Sequence, residues 1–178
     1  METFEEILIG VKDLVEAQAL LRGSKGLHQV LPNLYFRNGQ VAWLTLPFSS
    51  TRLRDALRFM NRLGVQAAPK LVGVKDLPSG ESIVLYEIPG LPEEYPGPFS
   101  GLTPLERNAS ERLRQDMELM FATGYVHPLA IAGYETWRIV PSTGHIIFER
   151  WETLRAMTPV EIGGARSTAK SLIDACEL

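Results

Sequence analysis

Apolar positions at the start of the chain recur at intervals of three and four. Phe4, Ile7, Leu8, Val11, Leu14, Val15 and Leu21 share one face if residues 3–22 form a helix. Thr3 suits its N-cap, and Glu5 and Glu6 suit its positive end. Gly-Ser-Lys-Gly at 23–26 reads as its stop, since a phosphate-cradling loop would need a preceding strand and a longer spacing. The period then changes from helical to extended. Two apolar runs, Leu34 to Phe36 and Val41 to Leu46, flank Asn38-Gly39, a pair that tolerates the positive φ angles of a tight hairpin turn. Pro47 ends the second run. Ser49, Ser50 and Thr51 offer N-caps to a helix over 51–63 with Leu53, Ala56, Leu57, Met60 and Leu63 on its apolar face. Lys70 to Lys75 and Glu81 to Ile88 read as a second strand pair around a turn at 76–80. Hairpin, helix, hairpin over 33–88 predicts an antiparallel sheet with one helix on a face.

Residues 89–104 are rich in proline and glycine and read as a linker or an ordered loop between two bodies. Tyr95 and Phe99 within it are candidates to face a partner, or to pin the loop to its own core. Thr103-Pro104-Leu105-Glu106 has the layout of a capping box, with a helix to about Thr123 and a buried stripe of Leu105, Ala109, Leu113, Met117, Met120 and Phe121. Gly124 is its expected terminator. A hairpin around Pro-Ser-Thr-Gly at 141–144 follows. Thr158 to Glu161 repeats the capping layout, Gly163-Gly164 interrupts it, and a last helix is expected over 165–176. The long stripe of the 103–123 helix needs a cover. Either the C-terminal helix lies on it while the N-terminal helix covers the sheet, or the protein is a homodimer.

Composition narrows the classes. The chain has 178 residues, 45% hydrophobic and 22% charged, with a net charge of −3. That supports one core or two small lobes, and argues against a broad nucleic-acid surface. The one cysteine, Cys176, leaves no internal disulfide and no cysteine-based zinc site, which suits a reducing, cytoplasmic setting. No apolar run is long enough to cross a membrane, and the acidic start is unlike a secretory leader. His28, His127 and His145 lack metal-ligand spacing, and Ser49 and Ser50 lack the context of a hydrolase nucleophile. Arg52, Arg54, Arg58 and Arg62 on one helix are a candidate surface for an acidic partner; the plainer reading is a solvated face.

Taken in order, the segments NLYFRNGQVAWLTL, RLRDALRFMNRLG, APKLVGVKDLPSGESIVLYEIPG, ERLRQDMELMFATGYVHP and WRIVPSTGHIIFERWE resemble the protein-kinase-like superfamily. The style is that of small bacterial kinase-like and aminoglycoside-phosphotransferase-like proteins, in reduced form. The resemblance implies an α+β fold: residues 1–89 as an N-terminal helix plus a small N-lobe-like antiparallel sheet carrying one helix, and 90–178 as a reduced, mainly helical C-lobe with a short hairpin. It also implies where chemistry would sit, and there the chain departs. The phosphate-binding Lys position reads Leu44, or Thr45 if the register slips by one. Asp55 is the nearest thing to the acid that would position it, and Glu87 falls where the sheet leads into the hinge. His127 stands at the catalytic loop, but Leu129 stands where the catalytic Asp belongs. The metal-loop Asn falls near Glu135 or Thr136, and the metal-binding Asp near Phe148 or Glu149. Phosphoryl transfer needs the Lys, the acids and Mg²⁺ together.

The reading this favours is a catalytically inactive, pseudokinase-like module, with no catalytic residue, no metal site and no cofactor, that binds a protein partner as a regulator or scaffold. Such a degenerate version of a larger fold would suit a bacterial or phage protein. Two alternatives stay open. One is an atypical phosphotransferase that binds ATP and Mg²⁺ through Glu135 and Glu149 with His127 as base. The other is an unrelated α+β protein that binds a small ligand or forms a structural oligomer.

Overall fold

The computed structural model describes residues 2–177. The N-terminal stripe does not form one helix but two, α1 (Phe4–Ile7) and α2 (Leu14–Gly23). Thr3 and Glu6 close a full capping box on α1. Gly10 then takes a φ of 73°, and the Asp13 carboxylate accepts the Glu16 N–H to start α2. The break rotates the stripe. Phe4, Leu8, Val11, Ala17 and Leu21 are buried, while Val15, which the spacing puts on the same stripe, is 76% exposed.

Strands β1 (His28–Leu31), β2 (Leu34–Arg37) and β3 (Gln40–Thr45) form a meander. β1 is an exposed edge strand without apolar alternation, so its sequence gave no sign of it. Asn38 and Gly39 make the expected turn with φ of 48° and 80°. A side chain at Gly39 would also collide with the backbone of Leu91, so two separate constraints demand glycine there. Helix α3 (Pro47–Leu63) begins at Pro47 rather than Thr51. Proline's fixed φ suits the first helical turn, so Leu46 becomes the N-cap without a side-chain bond, and the expected caps lie inside the helix. β4 (Lys70–Asp76) and β5 (Ser82–Glu87) complete an antiparallel sheet of order β1-β2-β3-β5-β4. The α1–α2 segment packs its buried side chains on one face of this sheet, against Tyr35, Ala42, Leu44, Ile83 and Leu85. α3 packs Leu53, Ala56, Leu57 and Met60 on the other face, with Trp43, Val84 and Tyr86.

The proline-rich segment is ordered: β6 (Gly97–Pro98) pairs in register with a strand described below. α4 (Arg107–Ala122) starts later than the capping layout at 103–106 implies, and Glu106 stands at its N-cap without a side-chain bond. Leu105 N–H is instead taken by the Cys176 carbonyl at 2.7 Å, and this tether to the far end of the chain replaces the local cap. Beyond Gly124 come β7 (Tyr125–Val126), α5 (Pro128–Ala132), β8 (Arg138–Ile139), β9 (Ile146–Ile147), β10 (Arg155–Ala156) and α6 (Pro159–Cys176). β8 lies between β6 and β9, and β10 pairs with β7. The Thr158–Glu161 capping box forms as expected, but Gly163-Gly164 does not interrupt the helix, because the cap commits the chain before them.

α6 turns Ile162, Ala165, Ala169 and Ile173 onto the α4 stripe of Leu113, Met117, Met120 and Phe121. The expected cover is therefore supplied within the chain, by α6 on α4 and by α1–α2 on the sheet. A single apolar cluster runs from α3 and Val84 through α4 to α6, across residue 89. One buried acid reinforces it. Asp116 on α4 accepts the Gln66 and Ala67 N–H groups at 2.9 and 2.8 Å, and the Ala67 carbonyl accepts Phe148 N–H at 3.0 Å. The loop between α3 and β4 is thus gripped from both sides.

Candidate functional site

The space between the sheet and the helical half is framed by α3, by the end of β5 and by residues 147–151. His127 lies behind its lining residues Phe148 and Trp151, wholly buried, as the N-cap of α5. Its Nδ1 accepts the Leu129 N–H at 3.1 Å. Its Nε2 lies 2.6 Å from the Glu149 carbonyl, which can only accept, so Nε2 carries the proton and the ring is the neutral tautomer. Burial lowers its pKa from 6.5 to about 4. Both nitrogens are engaged and the ring packs edge-on to Trp151, so His127 orients backbone and offers no lone pair to a substrate.

Glu149 is the other centre. Its carboxylate accepts from the Tyr95 hydroxyl and, at 3.0 Å, from Arg138 Nε. Tyr95 is held in turn by an edge-on contact with Phe36, centroids 5.5 Å apart. Burial, then the neighbouring Tyr86 and Glu149, raise the Tyr95 phenol far above its usual range; burial and Glu149 do the same to Tyr86. Both phenols stay protonated, and Tyr95 donates its proton to the hydrogen bond with Glu149. The remaining space, bounded by Leu53, Tyr86, Ile88, Tyr95, Phe148 and Trp151, has a volume of about 20 Å³, room for about one water molecule.

The residues singled out in the sequence are dispersed by this geometry. Leu44 lies on the far face of the sheet, under α1 and α2. Because strand side chains alternate, Trp43 and Thr45 face the opposite side, so Leu44 is a core residue under α1 and α2 and takes no part in the cleft. Asp55 is 62% exposed and ion-paired to Arg54 at 3.2 Å on the outside of α3. Glu87 ends β5, half-buried, opposite Gln40 and Lys70. Leu129 is half-buried in α5, and its carbonyl accepts Thr136 Oγ1 at 2.6 Å. Glu135 is exposed in a 3₁₀ turn (Tyr134–Thr136), its carboxylate folded over Gly133. Among the described residues, no three His, Cys, Asp or Glu side chains converge as a metal would require.

Two expected partner contacts are corrected. Phe99 is 4% exposed and stacks on Trp137 at 6.1 Å, and Tyr95 is bound to Glu149, so both pin the 89–104 segment inward. Of the arginines, Arg52, Arg58 and Arg62 are exposed and form no ion pair with any described residue, while Arg52 lies over the Phe48 ring at 5.7 Å. Sequence reasoning passed over Arg138, Tyr86 and Asp116, three groups that close or brace the cleft. Only Arg138 had a sequence signal, as the one cation in the apolar run WRIV. The chain matches no protein-family model and no curated protein.

Proposed function

We propose that this is a kinase-like module without phosphotransfer chemistry, which works by binding another protein. The strand order β1-β2-β3-β5-β4, with a helix joining β3 to β4 and a crossing to a helical half, supports the kinase-like part of the reading. So does a buried histidine that ties the turn before α5 to the segment following β9, at Glu149. The observation that carries the inactive part is the filled cleft. Nucleotide-sized ligands occupy pockets of roughly 300 Å³ or more, whereas here about 20 Å³ is left. The groups around it already satisfy one another: Glu149 is shared by Tyr95 and Arg138, His127 uses both nitrogens, and Leu129 brings no acid. For Glu149 to hold Mg²⁺, it would have to abandon a cation and a phenol.

The test is thermal unfolding with millimolar ATP at low and high Mg²⁺. A ligand at about a hundred times its Kd adds about 2.7 kcal/mol, which moves the midpoint of a chain this size by several degrees. The reading expects no shift. A Mg²⁺-dependent shift of several degrees, abolished by Glu149→Ala, would overturn it in favour of a phosphotransferase.

A further inference from the structure

We infer that the groove between α3 and the 151–154 segment is the docking site for a short, extended, acidic peptide with a central apolar anchor, carried by a partner protein. The inference rests on the protein-binding reading above and gives that reading a surface. The groove holds about 340 Å³, more than ten times the space left in the cleft. Its floor is apolar: Ala56 and Phe59 from α3, Tyr125 from β7 and Leu154. Phe59 and Tyr125 meet edge to face with centroids 5.6 Å apart, so the floor is shaped and not merely exposed.

The charges around it select the occupant. The groove contains two carboxylates, Asp55 and Glu152. Each already has a cation of its own, Arg54 at 3.2 Å and Arg150 at 3.2 Å. Arg52, which lines the same groove, has no carboxylate partner among the described residues. At helical periodicity Arg52, Asp55, Phe59 and Arg62 fall on one face of α3, and Arg62 is likewise exposed and without an ion pair. That leaves one uncompensated cation lining the groove, Arg52, and a second, Arg62, about one helical turn beyond Phe59 on the same face of α3. Arg52 and Arg62 are ten residues apart, about 15 Å along the axis, which is the reach of about four or five extended residues. A peptide with a carboxylate near each end and an aromatic or branched aliphatic side chain between them matches both features.

The probe is a fluorescein-labelled, end-capped hexapeptide with Glu at the second and sixth positions, Phe at the fourth and Ala elsewhere, titrated with the full chain by anisotropy. The expected result is saturable binding that weakens about tenfold on Arg52→Glu and on Phe59→Ala and falls with added salt, while Arg22→Glu on α2 changes nothing. A peptide with Lys in place of Glu should not compete. Phe59 is half-buried, so circular dichroism of Phe59→Ala must first match the wild type; if it does not, Arg52→Glu and Arg62→Glu carry the test alone. Binding left intact by Arg52→Glu, no binding at all, or stronger competition from a single-stranded RNA of equal charge would each overturn the inference. Its failure is separable from failure of the protein-binding reading. A partner captured equally by wild type and Arg52→Glu would leave that reading standing with another surface, whereas a Mg-ATP-induced thermal shift would remove the reading itself.

Discussion

Asp116→Ala would show how strongly one buried carboxylate joins the two halves. Asp116 is 4% exposed, and its two oxygens accept the N–H groups of Gln66 and Ala67 at 2.9 and 2.8 Å. Alanine leaves both donors without an acceptor in a loop also tied through the Ala67 carbonyl to Phe148. A hydrogen bond to a charged acceptor contributes about 1.5–3 kcal/mol, so the gross loss is about 3–6 kcal/mol. Part is recovered, because the carboxylate no longer has to be kept out of water; burial already raises its pKa, the mark of that penalty. The net expectation is a loss of about 3 kcal/mol. Asp116→Asn keeps one acceptor and should lose about half as much. Urea unfolding followed by far-ultraviolet circular dichroism gives the number, and hydrogen exchange should show the Gln66 and Ala67 amides opening early. Asp55→Ala, which removes a 62% exposed carboxylate from a surface pair, should change stability by less than about 0.5 kcal/mol. An Asp116→Ala loss below about 1 kcal/mol, or an Asn variant as unstable as the Ala one, would refute the clamp.

Four further outcomes follow from the same geometry. The folded-state pKa of His127 is depressed from 6.5 to about 4, so the folded chain binds fewer protons than the unfolded chain in that window. Stability is full above pH 6.5 and falls as the pH drops toward 4, by about 3 kcal/mol. His127→Asn, which can keep the α5 cap, should flatten that slope after allowance for the opposite contribution of Asp116, and parallel profiles would contradict the neutral imidazole. The Tyr35 hydroxyl is buried without a hydrogen-bond partner among the described residues, so Tyr35→Phe should leave the urea midpoint unchanged or raise it. Gly163→Ala and Gly164→Ala, at exposed positions inside α6 with nothing close to an added Cβ, should each stabilise by about 0.5–1 kcal/mol, and a loss would mean that the helix is broken there. Glu149→Gln should cost about 1–2 kcal/mol at neutral pH, since its pair with Arg138 is partly exposed and therefore screened; a cost near zero would mean that Tyr95 and Arg138 are held by packing alone.

What was legible in the chain was local. Asn38-Gly39 announced its turn because two positive φ angles admit few residues. The α4 stripe announced its burial because five apolar residues, Ala109, Leu113, Met117, Met120 and Phe121, share a face. Cap competition was less legible. Thr103 has the right neighbours for a cap and is passed over because Leu105 is claimed by Cys176, a partner that no local window contains. The helix over 3–22 split for a related reason: Gly10 and Asp13 offered a second start, and the gain came from fitting Leu8 and Leu21 onto a sheet not yet in view.

The site was the least legible part, and Glu149 shows why. In the sequence it was an acid at the place of a metal ligand. Its chemistry is set by Tyr95 and Arg138, 54 and 11 residues away, which no spacing rule connects. The same residues explain why the cleft is closed. A cleft that keeps buried polar groups for an absent ligand leaves them unsatisfied whenever it is empty, at about 1–3 kcal/mol each. A chain that never takes up the ligand is stabilised by any change that lets those groups pair among themselves. Here an acid meets a phenol and a guanidinium, and a histidine meets two backbone groups. On the reading proposed above, loss of chemistry and closure of the cleft are one event seen from two sides, and selection for binding would act instead on the outer face of α3, where Arg52 and Arg62 form no ion pair with any described residue.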